Sequence, residues 1–297
     1  MRIFLLPIST RRTLIYCEKL ASSHAASSTP SAPVSISPLP LSTFPDRVVA
    51  RANTTWADWE RAPKGWKKTL TEYGNRAFSR IPFEEWGLKS LPALHESTRA
   101  NAVVTDVVFP GRFMPEGKVV ETLKRIATER EALHRRRLVG SVVAMPFTIP
   151  VGLIPVLPNI PFIYLAFRAW SHYKAWFGGR YLGYLLAKGL VRPTGSGVLD
   201  GLYARGLMEV AVEKGSADAK GRVKARMEEK EVERLAGEVW ARDAQGEEVL
   251  VLREWNGQAI AEEFKLPEME VEIERAVEQV AKAIMEAKGK KEIGKKE

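Results

Sequence analysis

The chain has 297 residues, 45 Lys and Arg against 36 Asp and Glu, and a formal charge of +9. Its single cysteine, Cys17, excludes an internal disulfide and leaves no paired thiols for a zinc site. The basic balance suits an anionic lipid surface or a nucleic acid, but no nucleic-acid-binding motif accompanies it, and the charge gathers beside a long apolar run. Membrane lipid is the expected partner, and nucleic acid is not.

Residues 1–21 hold one acid, Glu18, against Arg2, Arg11, Arg12 and Lys19, a composition that resembles a mitochondrial transit peptide. As structure, the same stretch reads as a strand over Arg2–Ser9 and a helix over Thr10–Leu20, capped by Ser9 or Thr10. Both readings hold together if the address lies inside the folded protein. Residues 22–45 are rich in Ser and Pro and are expected to form a disordered linker.

Residues 46–137 read as a helical domain with one strand. Val48, Val49, Ala52, Trp56 and Trp59 recur at helical steps, and Trp66, Leu70, Tyr73 and Ala77 resume them after Pro63-Lys64-Gly65. Ala102–Pro110 is valine-rich and reads as a second strand, able to pair with Arg2–Ser9. Glu116–Arg136 is an amphipathic helix that runs straight into the apolar segment.

That segment, Leu138 to Phe167, is 30 residues without one Asp, Glu, Lys, Arg or His. Its length exceeds the span of a bilayer core, but prolines at 146, 150, 155, 158 and 161 exclude one smooth helix. Pro155, Pro158, Asn159 and Pro161 mark a turn between two short arms. Arg135, Arg136 and Arg137 precede the run and Arg168 follows it, so both flanks belong on one side of a membrane. Residues 138–170 therefore read as a proline-broken membrane hairpin. A single tilted span and a buried pair of core helices are the alternatives. Trp170, Tyr173 and Trp176 stand where an interfacial aromatic belt belongs.

Residues 171–192 read as an interfacial helix in which Gly179, Gly183 and Ala187 form a small-residue row. The C-terminal region, 193–297, reads as a loop over Pro193–Gly197 and then helices to about Lys214 and from about Asp218 to Arg242. A last helix opens at Pro267, with Met269, Ile273, Val277, Val280 and Ile284 as its seam. Its terminal GKKEIGKKE is expected to fray. The fold class is thus mainly α, with a minor two-stranded β element and a membrane anchor.

No phosphate-cradling glycine loop, HExxH or GxSxG is present, so no catalytic, cofactor or metal-ligating residue is assigned and no enzyme is expected. His134 and His172 flank the apolar run and are candidates for pH sensing. The commoner role of such histidines is a plain surface one.

Four segments together carry a resemblance: MRIFLLPISTRRTLIYCEK, TTWADWERAPKGWKKTLTEYGNRAFSRIPFEEWGLKSLP, the proline-broken run, and IAEEFKLPEMEVEIERAVEQV. The chain resembles the fungal mitochondrial potassium–proton exchange-related family. The resemblance implies an inner-membrane protein involved in K+/H+ exchange and matrix volume homeostasis, acting beside LETM-type proteins with its globular parts facing the matrix. It also implies that residues 1–20 belong to the mature pattern. Three roles follow as expectations: an accessory or structural subunit, the exchanger itself as a homo-oligomer, or a lipid-binding membrane organiser.

Overall fold

The computed structural model describes residues 1–18, 81–152, 159–213 and 228–293, with isolated positions between 61 and 71. The chain forms two units, residues 1–19 with 82–297 and residues 20–81. The first unit is described below. The Ser/Pro linker, the two tryptophan-bearing helices, Pro155 and Pro158 lie outside the described residues.

Four strands, not two, make the sheet: β1 (Arg2–Pro7), β2 (Thr13–Cys17), β3 (Thr105–Phe109) and β4 (Val191–Gly195), in the order β2-β1-β3-β4. β1 runs antiparallel to β2, with Leu5 opposite Ile15. It runs parallel to β3, with Ile3 opposite Val107, which is the pairing expected between the two N-terminal strands. β4 lies parallel to β3, with Pro193 opposite Val107.

Two of these strands replace other expectations. β2 occupies the stretch read as a helix over Thr10–Leu20. The Ser9 hydroxyl does accept the N–H groups of Arg11 and Arg12, at 3.3 and 3.1 Å, as a helix cap would. Here those bonds close a turn that reverses the chain into a strand, and the branched and aromatic side chains of Leu14, Ile15 and Tyr16 are buried there. β4 falls where a loop was expected at Pro193. Proline is tolerated because β4 is an edge strand with one side free of ladder bonds.

Both faces of the sheet are covered, and the strand residues divide between them with period two. Phe4, Leu6, Leu14, Tyr16 and Val108 form one core with α7 (Gly197–Glu213), α8 (Glu229–Ala244), α9 (Glu254–Phe264) and α10 (Pro267–Ile293). Ile3, Leu5, Ile15, Val107 and Phe109 form the other with α1 (Phe83–Ser90), α3 (Glu116–Thr128) and the C-terminal half of α6 (Ile160–Ala187). A single turn of helix, α2 (Glu96–Ala100), follows α1. The seam of α10 is buried at Met269, Ile273, Val277 and Val280, and the described helix extends to Ile293, residues 294–297 lying outside the described residues. Of the expected 218–242 helix, α8 is the described part.

The parallel strands β3 and β4 need a crossover connection, and that crossover contains the apolar run. The chain leaves β3 through α3 and α4 (Glu131–Ala144), which are two helices and not one. It continues as a 3-10 turn (Met145–Thr148) and a short α5 (Ile149–Gly152), then returns along α6. His134 meets His172 at one end of this pair, and Asn159 Nδ2 donates to the Thr148 carbonyl at 2.7 Å near the other. The two helices are therefore antiparallel arms of a hairpin. Asn159 also caps α6, its side-chain oxygen accepting the Phe162 N–H at 3.1 Å, and Pro161 sits in the first turn.

The stretch read as a separate interfacial helix is the C-terminal half of α6. Ala175, Tyr181, Leu182 and Leu185 are buried against the protein on one of its faces. The small-residue row is only partly used. A Cβ on Gly179 would stand 3.1 Å from the Ala127 carbonyl oxygen, whereas Gly183 faces open space. Gly178 makes the closer approach, with a would-be Cβ 2.2 Å from the Leu88 carbonyl oxygen of α1. Because backbone cannot yield as a flexible side chain does, Gly178→Ala is expected to cost about 1–2 kcal/mol. Melting in detergent would check it, with Gly183→Ala as the neutral control.

Candidate functional site

At the base of the hairpin three helices bring ionisable side chains out of water. α1 supplies Glu85, α4 supplies His134, and α6 supplies Arg168, Ser171 and His172, which share one face through their i, i+3, i+4 spacing. Glu85, His134, Ser171 and His172 are each at most 2% exposed. His134 is the one buried residue of α4, so the helix docks through a polar side chain. This corrects the surface role expected of both histidines.

The contacts form a connected network. Arg168 donates to both Glu85 oxygens, from Nη1 to Oε1 at 3.0 Å and from Nη2 to Oε2 at 3.3 Å. Ser171 Oγ donates to Glu85 Oε1 at 2.5 Å. Arg168 Nη2 also lies 2.9 Å from His172 Nε2, and the two histidine Nδ1 atoms are 3.1 Å apart. His172 Nδ1 stands 3.7 Å from Glu85 Oε2.

Donor accounting assigns the protons. Arginine only donates, so His172 Nε2 must accept, and the His172 proton sits on Nδ1. That proton is shared towards His134 Nδ1, which places the His134 proton on Nε2, an atom that is buried without a partner. Both imidazoles are neutral in this network. Burial pushes the His172 pKa down to about 4, Glu85 opposes that, and Arg168, His134 and Arg137 add to it. His134 is lowered for the same first reason, with Glu85 opposing it and Arg130, Arg137 and Arg168 adding to it. Burial alone would raise Glu85. The Ser171 hydrogen bond and the Arg168 guanidinium outweigh it and hold the carboxyl below its ordinary value.

Glu85, His134 and His172 each bring a donor atom within 4.8 Å of the others, a spacing that a metal ion could bridge. Arg168 already supplies the positive charge the carboxylate needs, and it occupies His172 Nε2 as well. An ion held by all three would have to displace the guanidinium from both contacts. As it stands, the cluster is a neutral, sealed ion pair with two attached imidazoles.

The basic residues flanking the apolar run separate into two kinds. Arg168 is turned inward, its side chain 12% exposed, onto Glu85. Arg135, Arg136 and Arg137 are exposed and have no carboxylate partner among the described residues. Trp176 donates from Nε1 to Glu131 Oε1 at 3.2 Å, tying the two arms just below them. Above the cluster the arms carry apolar side chains that no other element covers: Val139, Val142, Val143, Phe147 and Ile163 are 51–80% exposed. Among the described residues no helix is long and apolar enough to cross a membrane.

The family described as mitochondrial K+-H+ exchange-related matches residues 2–186, from the first strand to the end of α6. The chain belongs to this family. The match takes in Glu85, the whole hairpin and every member of the buried cluster, and stops short of the C-terminal segment around Ile260–Val280. Relatives include an uncharacterized protein of Schizosaccharomyces pombe, 25% identical over 175 residues, which are 59% of this chain and 70% of that protein. Another, from Saccharomyces cerevisiae, is 24% identical over 164 residues, 47% of this chain and 51% of its own length. No solved structure matches the chain. The family relation ties the protein to mitochondria and to K+/H+ exchange.

Proposed function

We propose that this protein is a non-enzymatic, accessory or structural subunit of the K+/H+ exchange system of the mitochondrial inner membrane. The hairpin dips into the bilayer from the matrix side, and the two-faced sheet stays in the matrix, where it docks LETM-type exchange proteins or a second copy. The observation that carries this reading is the distribution of polarity along the two arms. Exposed apolar side chains occupy the hairpin beyond residue 138, while the charged groups and the histidines stop at its base, Glu85, His134 and His172 being buried there. From Leu138 to Gly152 the first arm would reach about 22 Å, short of a bilayer core of about 30 Å. Such an arm fits a segment that enters and returns. A chain that moved protons or cations by itself would place an acidic, basic or histidine side chain at membrane depth, and residues 138–167 hold no Asp, Glu, Lys, Arg or His.

Exchange of K+ for H+ relieves the matrix of the K+ that the membrane potential draws in. Cells lacking this protein are expected to have swollen mitochondria that return to normal volume when an ionophore exchanging K+ for H+ is added. Light scattering of isolated mitochondria in potassium acetate reads the defect directly. Unchanged swelling kinetics in the deletion strain would refute the proposal. Potassium flux driven by a pH gradient in liposomes holding the purified protein alone would replace it with the exchanger reading.

A further inference from the structure

Between α4 and α6, immediately above the buried cluster, lies an open cavity of about 900 Å³. Its polar lining is Arg136, Arg137, Ser141, Tyr164, Arg168 and His172, and the rest of its wall is apolar. The charge of Arg168 is already matched by Glu85, and the network makes His172 neutral. Arg136 and Arg137 keep their charges unmatched among the described residues. A cavity with two free guanidinium groups and a hydroxyl from each helix is complementary to a phosphate oxyanion, which arginine binds in a fork.

We propose that this cavity holds the phosphate headgroup of an acidic phospholipid. Two features select a lipid over a free phosphate. First, the cavity sits where the polar base of the hairpin gives way to the apolar arms. Val139, Val143 and Phe147 continue from Arg136 up one helix, and Ile163 stands beside Tyr164 on the other, all exposed. A headgroup in the cavity would lay its acyl chains along these side chains. Second, basic pockets between helices at the cytoplasmic or matrix surface of a membrane are favourable sites for such headgroups, each nearby arginine contributing about a fivefold factor. The inference rests on the hairpin dipping into lipid, and it adds which lipid is selected and by which residues.

Flotation of the full-length protein with vesicles tests it. Vesicles of phosphatidylcholine alone read the hairpin; vesicles of equal parts phosphatidylcholine and phosphatidylglycerol read the headgroup site. The wild type is expected to float with both and to prefer the anionic vesicles. The pair Arg136→Ala and Arg137→Ala should lower partitioning into the anionic vesicles by about 30-fold and leave the neutral vesicles unaffected. Arg136→Lys with Arg137→Lys should recover part of it. Lys124→Glu with Lys230→Glu alters two exposed lysines elsewhere and should change little. Both arginines are exposed, so far-ultraviolet circular dichroism should find all variants folded.

Equal partitioning of the wild type into the two vesicle types would overturn the headgroup site and leave the hairpin anchor standing. Failure to float with either would overturn both. An equal loss in the lysine control would reduce the effect to general surface charge. Release from anionic vesicles by millimolar inorganic phosphate at constant ionic strength would replace the lipid with a free anion.

Discussion

Replacing Glu85 by alanine is expected to destabilise the protein by about 3–5 kcal/mol, the cost of leaving one partner of a buried ion pair behind. Arg168 is 12% exposed and directs both terminal nitrogens at that carboxylate. Without it the guanidinium is left facing two neutral imidazoles and the Ser171 hydroxyl. α1 would lose its polar link to α6, and the hairpin would lose its base. Urea or thermal denaturation in detergent reads the loss. The double variant Glu85→Gln with Arg168→Met removes both charges and should recover most of it, since a buried pair exchanged for apolar groups is often close to neutral. A single variant as stable as wild type would show that the pair is not sealed from water.

Acid should loosen the same place. His172 titrates near 6.5 when unfolded and near about 4 in the folded cluster, because burial and the arginines disfavour its cation. A depressed folded pKa means that the neutral form is the one the fold holds. The contribution is therefore complete above about pH 6.5 and is lost as pH falls towards 4, up to about 3 kcal/mol in all. The groups facing His172 are Glu85 from α1, His134 and Arg137 from α4, and Arg168 from its own helix; Arg130, just before α4, acts on His134. Glu85 extends the loss further down: its stabilisation is present above its ordinary 4.5 and goes as pH drops through its lowered folded value. Melting temperature measured from neutral pH into this window should fall steeply in the wild type. It should fall less steeply in His172→Asn, which is uncharged throughout. A flat profile in the wild type would show that the imidazoles reach solvent.

The apolar pattern made the hairpin legible, because thirty residues without charge, broken by prolines, have few ways to fold. The same hairpin contained the clue to the cluster. The midpoint of residues 134 and 172 is 153, and that of 148 and 159 is 153.5, so one turn brings both pairs together. Glu85 was out of reach of such reasoning. It meets Arg168 only because α1 crosses α6 at Gly178, a contact set by tertiary packing and carried by no periodicity. The β2 error had a local cause. Ser9 makes the same side-chain bonds to the following N–H groups whether a helix or a reversed strand comes next, and only burial of Leu14 and Tyr16 against distant helices decides between them. Pro193 misled for a similar reason, since an edge strand admits what a central strand would reject.

The two arms leave from β3 and come back into β4, neighbours in one ladder. The order of assembly follows from that threading. The ladder cannot close until residues far downstream have returned to it, and by then the greasy excursion must already have a place to reside. Solvent is the worst such place, given side chains as bare as Phe147. Closure of the sheet and burial of the excursion are thereby one event, and a chain that found no cover for the excursion would present an open sheet edge and an uncovered apolar loop together.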